Sequence, residues 1–328
     1  MSKYRPFLYS WLVSLITVPG FAEQGERPLA IRNLSPVAGL YGLPRMRGGA
    51  LGEGLQLSVN IAQVSNFTSA NIGGTQVFFD GETTVFDYSL SRRWGEQAEW
   101  GVTFPYVAHS GGFLDGFIDD FHSLFGLPEG GRERAKSDQL DYLVRIDGET
   151  LVSFDDSRGG IGDVQAWLGY ALWDAPAREV NLRAQVKLPT GRSSRLTGSE
   201  GLDIALWAEL QERRLLQSLG AVISLGAGAV WLDEGELAPR SQESWAMVGH
   251  FGLRRGFGSR FELLGQLDAH SQLHDNPADA MGGSALMGSL GLRAAITPRL
   301  QMEFVVIEDL QSRSTSDVVF QLQLDAWL

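Results

Sequence analysis

Residues 318–328 set Val318, Phe320, Leu322, Leu324, Ala326 and Leu328 on one face of an extended strand, and Val319, Gln321, Gln323, Asp325 and Trp327 on the other. A fully apolar row backed by a mostly polar one suits a strand with lipid on one side and water or polar groups on the other. The alternation recurs along most of the chain, in rows such as Leu55, Leu57, Val59 and Ile61, or Val180, Leu182, Ala184, Val186 and Leu188. No row carries a charge at its centre, whereas the facing positions include Asp87, Arg183, Lys187, Asp203, Glu209, Arg254, Glu262, Asp268, Arg293, Glu303 and Asp325. A charge on the lipid face near the bilayer midplane costs roughly 2–4 kcal/mol, a penalty that the outer face of a soluble sandwich does not feel. The pattern therefore predicts an all-β fold, a transmembrane antiparallel β-barrel.

The connections support this by alternating in length, as periplasmic turns and extracellular loops do. Short turns fall near Gly95, 174–177, 214–217, 256–259 and Thr297-Pro298, and long loops are expected at about 68–81, 110–138, 190–201, 233–242, 271–282 and 309–316. With Asp147-Gly148-Glu149 as a tight turn, the apolar row Leu140, Tyr142, Val144 and Ile146 and a short strand Thr150–Phe154 become barrel strands, and the expected count is fourteen. If 140–154 is instead part of a loop insertion, the count is twelve. Either even number puts both termini on the periplasmic side, with the last strand closing against Leu55–Ile61.

The start of the chain reads differently. Lys3 and Arg5 precede an apolar stretch from Phe7 to Val18, and Gly20-Phe21-Ala22 supplies small residues before a polar Glu23. Residues 1–22 are thus expected to be a cleaved secretory signal peptide. Residues 23–53 lack sustained alternation and contain Pro28, Pro36 and Pro44, so they form either a lumen plug or a periplasmic tail, with the barrel spanning 54–328. The formal charge is −12 and becomes −14 without the leader, which takes Lys3 and Arg5 and no acid. That balance argues against a nucleic-acid partner. The chain has no cysteine, which excludes disulfides and thiolate metal sites.

Two regions could control passage. In 112–131, Leu114, Phe117, Ile118, Phe121, Leu124 and Phe125 recur at helical spacing, predicting a short amphipathic helix in an extracellular loop. Phe113, Phe117, Phe121, His122 and Phe125 are its gate candidates, unless the helix merely covers an apolar rim. Arg132, Arg134 and Lys136 beyond it could meet lipopolysaccharide phosphates or simply remain solvated. Within the barrel, Arg183, Lys187, Arg254, Glu262, Asp268, Glu303 and Asp325 are lumen and selectivity candidates. They would select solutes in an open bore or pair with one another in a closed one.

Catalysis is not expected. The histidine-serine neighbours His109-Ser110, His122-Ser123 and His270-Ser271 would point to opposite faces of a strand, and the His-x-Ser spacing of barrel lipid hydrolases is absent. No cofactor is implied, and Asp115, Asp119 and Asp120 lack the spacing of a calcium loop.

Specific wording adds to the pattern. Arg32-Asn33-Leu34-Ser35-Pro36 with Gly42-Leu43-Pro44, Phe121 to Pro128, Gly160-Ile161-Gly162-Asp163, and Lys187-Leu188-Pro189-Thr190-Gly191 together resemble domain-of-unknown-function family 3187, over essentially the whole mature chain. The resemblance implies a proteobacterial outer-membrane barrel, and supplies no substrate or catalytic residue. Assembly machinery usually reads a terminal aromatic, and here Trp327 is penultimate. The expectation is a barrel in the Gram-negative outer membrane, in contact with lipid and lipopolysaccharide, serving as a channel for small and possibly hydrophobic solutes. A closed barrel with a structural or surface role is the rival, and a packed lumen without an opening would favour it.

Overall fold

The computed structural model describes residues 27–48, 54–112, 139–310 and 314–328. Among them are fifteen strands in one antiparallel sheet: β1 (Leu55–Ile72), β2 (Thr75–Trp94), β3 (Ala98–Ser110), β4 (Asp141–Ile146), β5 (Glu149–Phe154), β6 (Arg158–Ile161), β7 (Gln165–Ala175), β8 (Arg178–Lys187), β9 (Asp203–Glu212), β10 (Ala221–Leu232), β11 (Trp245–Phe257), β12 (Phe261–His270), β13 (Ala285–Thr297), β14 (Leu300–Asp309) and β15 (Val318–Trp327). Twelve of these close into a barrel: β1 to β3 continue to β7, each later strand pairs with the next, and β15 returns to β1. The last strand closes where the alternation placed it, with Val59 opposite Leu324 and Ile61 opposite Leu322.

The count is thus twelve, not the preferred fourteen, and the difference lies in β1 and β2. These strands are 18 and 20 residues long, about twice what a tilted strand needs to cross a bilayer. The expected loop at 68–81 is absent, since both strands run through it and join at Gly73-Gly74, whose φ values of +58° and +81° suit a tight two-residue hairpin turn. Beyond Gly81, β2 leaves β3 and takes β4 as its partner, Thr75–Asp80 pairing with Asp141–Ile146. The β4–β5 hairpin therefore rides on this extension, and short β6 pairs only with the upper part of β3. The row read as lipid-facing is turned inward, because Leu140, Tyr142 and Val144 are buried. Its apolar side chains pack in the capping core at the long-loop end of the barrel. The predicted gate helix, with Phe113, Phe117, Phe121, His122 and Phe125, lies outside the described residues.

The remaining rows face out as read: Phe104, Leu168, Leu206, Met247, Leu290 and Phe304 are exposed, and the intervening residues are buried within. Leu290, midway along β13, is 61% exposed. Leu290→Arg should lower the stability of the barrel in phospholipid vesicles by about 2–4 kcal/mol, read from urea unfolding followed by tryptophan fluorescence.

Candidate functional site

The interior of a barrel of twelve strands is wider than its own wall side chains fill, since eight strands already make a bore that side chains just close. Residues 27–48 occupy it. This stretch has three prolines, which withhold N–H groups from any ladder, so it crosses without joining the sheet. It bonds to wall side chains instead.

Its path is a narrow U. Arg27 meets Asp325 near the end of β15, at the end of the barrel carrying the short turns. The Leu29 N–H donates to Gln266 Oε1 (2.9 Å), and Gln266 Nε2 donates to the Leu29 carbonyl (3.0 Å). Asn33 reaches His270 (2.9 Å), where β12 meets a long loop. The apex holds a 3-10 turn at Ala38–Leu40 and packs with Leu196, Leu237, Leu273 and Met281 from the long loops and with Phe79, Tyr142 and Phe154. The chain then descends. The Gly42 N–H donates to Asp203 (2.7 Å), Arg45 to Asp87 (2.6 Å), the Arg47 N–H to Glu209 (2.6 Å), and Gly48 lies beside Pro28 again.

All seven lumen candidates face this interior, but they do not form opposed walls. Five sit in ion-pair groups of the wall, Asp325 pairs with the inner segment, and Asp268 is held by a hydrogen bond. Arg183 on β8 bridges Glu99 and Glu209 and also donates to the Gly48 carbonyl (2.5 Å). Lys187 joins Asp163 (2.6 Å) to Asp203 (3.3 Å) and donates to Ser199 and the Gly201 carbonyl. Glu262 lies between Arg254 and Arg293, and Arg293 also binds Glu303 (2.5 Å). Asp268 accepts from Gln266 (3.0 Å), and Asp325 collects Gln56, Ser58 and Gln323 beside Arg27. Sequence reading placed Asp87, Asp203 and Glu209 on the inner face and met Asp163 in a motif without naming any of them as a site candidate, and it did not single out Glu99, Arg27 or Arg45. The available signal was that 27–48 contains four arginines and no acid.

The space left over is small. The cavity between Arg27, Arg45, Arg47, Asp87 and Asp325 has room for about two waters, as does one lined by Arg32, Pro105, Gly162 and Asp163.

At the apex, Tyr41 Oη lies 2.6 Å from His274 Nε2, and Ser241 Oγ lies 3.1 Å from His274 Nδ1. His274 belongs to the loop between β12 and β13, and burial pushes its imidazole down to about 4. A folded pKa below the unfolded value of about 6.5 means that the folded state binds this proton less well. The stability is full above pH ~6.5 and is lost as pH falls toward 4, by an amount on the order of 3 kcal/mol. Melting temperature should fall over that window, and His274→Asn should flatten that part of the profile.

No curated protein matches the chain. The COG4313 outer membrane channel from Pseudomonas putida F1 is similar in structure at a TM-score of 0.55 and 13% identity, covering 85% of this chain and 97% of the other. At this identity it shows the fold alone. The CymD monoaromatic hydrocarbon channel aligns at a TM-score of 0.42 with 12% identity over 95% and 97% of the two chains. The Ralstonia pickettii toluene transporter TbuX aligns at 0.44 with 11% identity over 95% and 98%. The family model described as Protein of unknown function (DUF3187) matches residues 18–326.

Proposed function

The chain belongs to the DUF3187 family, whose function is unknown, and from its geometry we propose that it is an outer-membrane channel for small solutes, closed at rest by residues 27–48. The packed lumen favours the closed structural barrel, and what carries the channel reading against it is that the packing is done by a separate segment and not by the wall. The wall is continuous, ion-paired over part of its height and apolar where Val64, Val85, Leu264, Val305 and Ile307 meet Leu29, Ile31 and Leu34, and the bore is filled by a separate segment held through hydrogen bonds, ion pairs, this apolar contact and a capping core. Displacing that segment leaves a lined passage, with no strand pairing broken. The charged groups of the wall support polar solutes beside the hydrophobic ones that the sequence also allowed. In this reading residues 1–22 direct export, 27–48 form a plug, and the short-turn end faces the periplasm.

A tether tests it, because the chain has no cysteine of its own. A Cβ at Gly291 would lie 3.5 Å from Leu29 Cγ, close enough for a disulfide after Leu29→Cys and Gly291→Cys. In planar bilayers, moderate urea should produce reversible current steps with the reduced variant and none with the oxidised one. A folded barrel silent in both states would support the closed structural barrel, whose attraction is the ion-paired interior.

A further inference from the structure

We propose that the lumen is a path for small cations bearing guanidinium or amine groups, and that Arg27 and Arg45 are built-in stand-ins occupying their sites. This rests on the channel reading above and adds its solute class.

The first observation is how the wall carboxylates are neutralised. Glu99 and Glu209 share Arg183, Asp163 and Asp203 share Lys187, and Glu262 and Glu303 share Arg293, all cations of the wall itself. Asp87 and Asp325 differ. Among the described residues each finds its ion pair only on the inner segment, with Arg45 at 2.6 Å and Arg27 at 3.1 Å. When the segment leaves, each of those groups keeps a cation of its own, and these two acids lose their ion pairs together.

The second observation is that the two acids form one site. Both flank β1 on its inner face, where Asp325 is opposite Ser58 and Asp87 is opposite Asn60. Positions two apart on a strand are offset by about 7 Å and the strands on either side of β1 lie about 10 Å apart, so the carboxylates line one stretch of wall. They border the same cavity, which Arg47, with its guanidinium 4.6 Å from the Trp167 ring, and the wall's Arg293, paired with Glu262 and Glu303, also line. Asp325 is oriented by Gln56 Nε2 (2.9 Å), Ser58 Oγ (2.5 Å) and Gln323 Nε2 (2.9 Å). Asp87 is held by Asn60 Nδ2 (3.2 Å), and it is 2% exposed with its Oδ1 accepting no hydrogen bond. A buried acceptor with an unused oxygen beside an arginine fits a donor with several N–H groups, such as a guanidinium or a protonated amine.

The test uses the full chain. Arg27→Ala with Arg45→Ala removes both stand-ins and vacates their volume, and agmatine, which carries a guanidinium and an amine, is the probe. Agmatine should bind this double variant saturably in titration calorimetry and raise its melting temperature more than sodium chloride of equal ionic strength does. Adding Asp87→Asn and Asp325→Asn should weaken the binding at least about tenfold. Arg27→Ala alone, with and without Asp325→Asn, repeats the comparison at one site should the double variant fail to fold, with methylguanidinium as the smaller probe. Absent binding, or binding indifferent to the two aspartates, overturns the proposal. Current in the reduced Leu29→Cys/Gly291→Cys protein without such binding leaves the channel standing and removes its cation sites. Binding without any current does the reverse.

Discussion

Arg183→Met should be among the most damaging single substitutions in the barrel, lowering stability in vesicle-based urea unfolding by about 3–5 kcal/mol. The Arg183 side chain is 1% exposed, spans the gap between Glu99 and Glu209, and also reaches the Gly48 carbonyl. Its removal takes the shared guanidinium from two carboxylates that cannot recover water, and it loosens the returning limb of the inner segment. The penalty comes from stranded charge, not from lost attraction, because a buried pair can be replaced by neutral groups at little cost. Glu99→Gln with Glu209→Gln in the Arg183→Met background should therefore recover much of the loss. A triple variant no more stable than the single one would place the damage in packing against Trp167, which lies 5.5 Å from the guanidinium.

Lys187→Met should be comparably costly, about 3–5 kcal/mol, and should alter a different part of the molecule. Strands β6 and β7 are interrupted by residues 162–164 opposite Pro105, which has no N–H to offer, and Asp163 lies within that break. Asp163 accepts from Lys187, the Gly191 N–H (2.7 Å) and the Ser199 N–H (3.0 Å), so it ties the wall to the loop between β8 and β9. Without the ammonium, Asp163 and Asp203 repel each other across a buried space, and the loop is released. Protease cleavage within 190–201 should appear in Lys187→Met under conditions in which wild type and Arg183→Met resist. Equal resistance in all three would show that the loop is held by other contacts.

The barrel was legible because its outer boundary condition is uniform. Every membrane stave must present an apolar row, so Leu168, Leu206 and Leu322 declare their direction by spacing alone. Leu140, Tyr142 and Val144 follow the same period for a different reason, since their apolar side meets the capping core and not lipid. Alternation cannot distinguish the two, and the fourteen-strand count failed there. The inner charges were readable as facing inward, but their pairing was not, because Arg183 and Glu99 are brought together by barrel closure and lie far apart in sequence. The inner segment was visible only as an absence of alternation. Its excess of arginine is intelligible once Asp87 and Asp325 are seen to await it.

The U-shaped course of 27–48 sets how much force its release requires. A straight rod lodged in the bore would have to shear every contact at once. Here the two limbs lie side by side and both ends emerge where the short turns are, so tension on residue 27 loads Arg27–Asp325 first, then the Leu29–Gln266 pair, then Asn33–His270. In the proposed opening the contacts would peel in succession, with the apolar packing of Leu29, Ile31 and Leu34 adding to the load on that limb, whereas a push from the other side would meet the whole capping core.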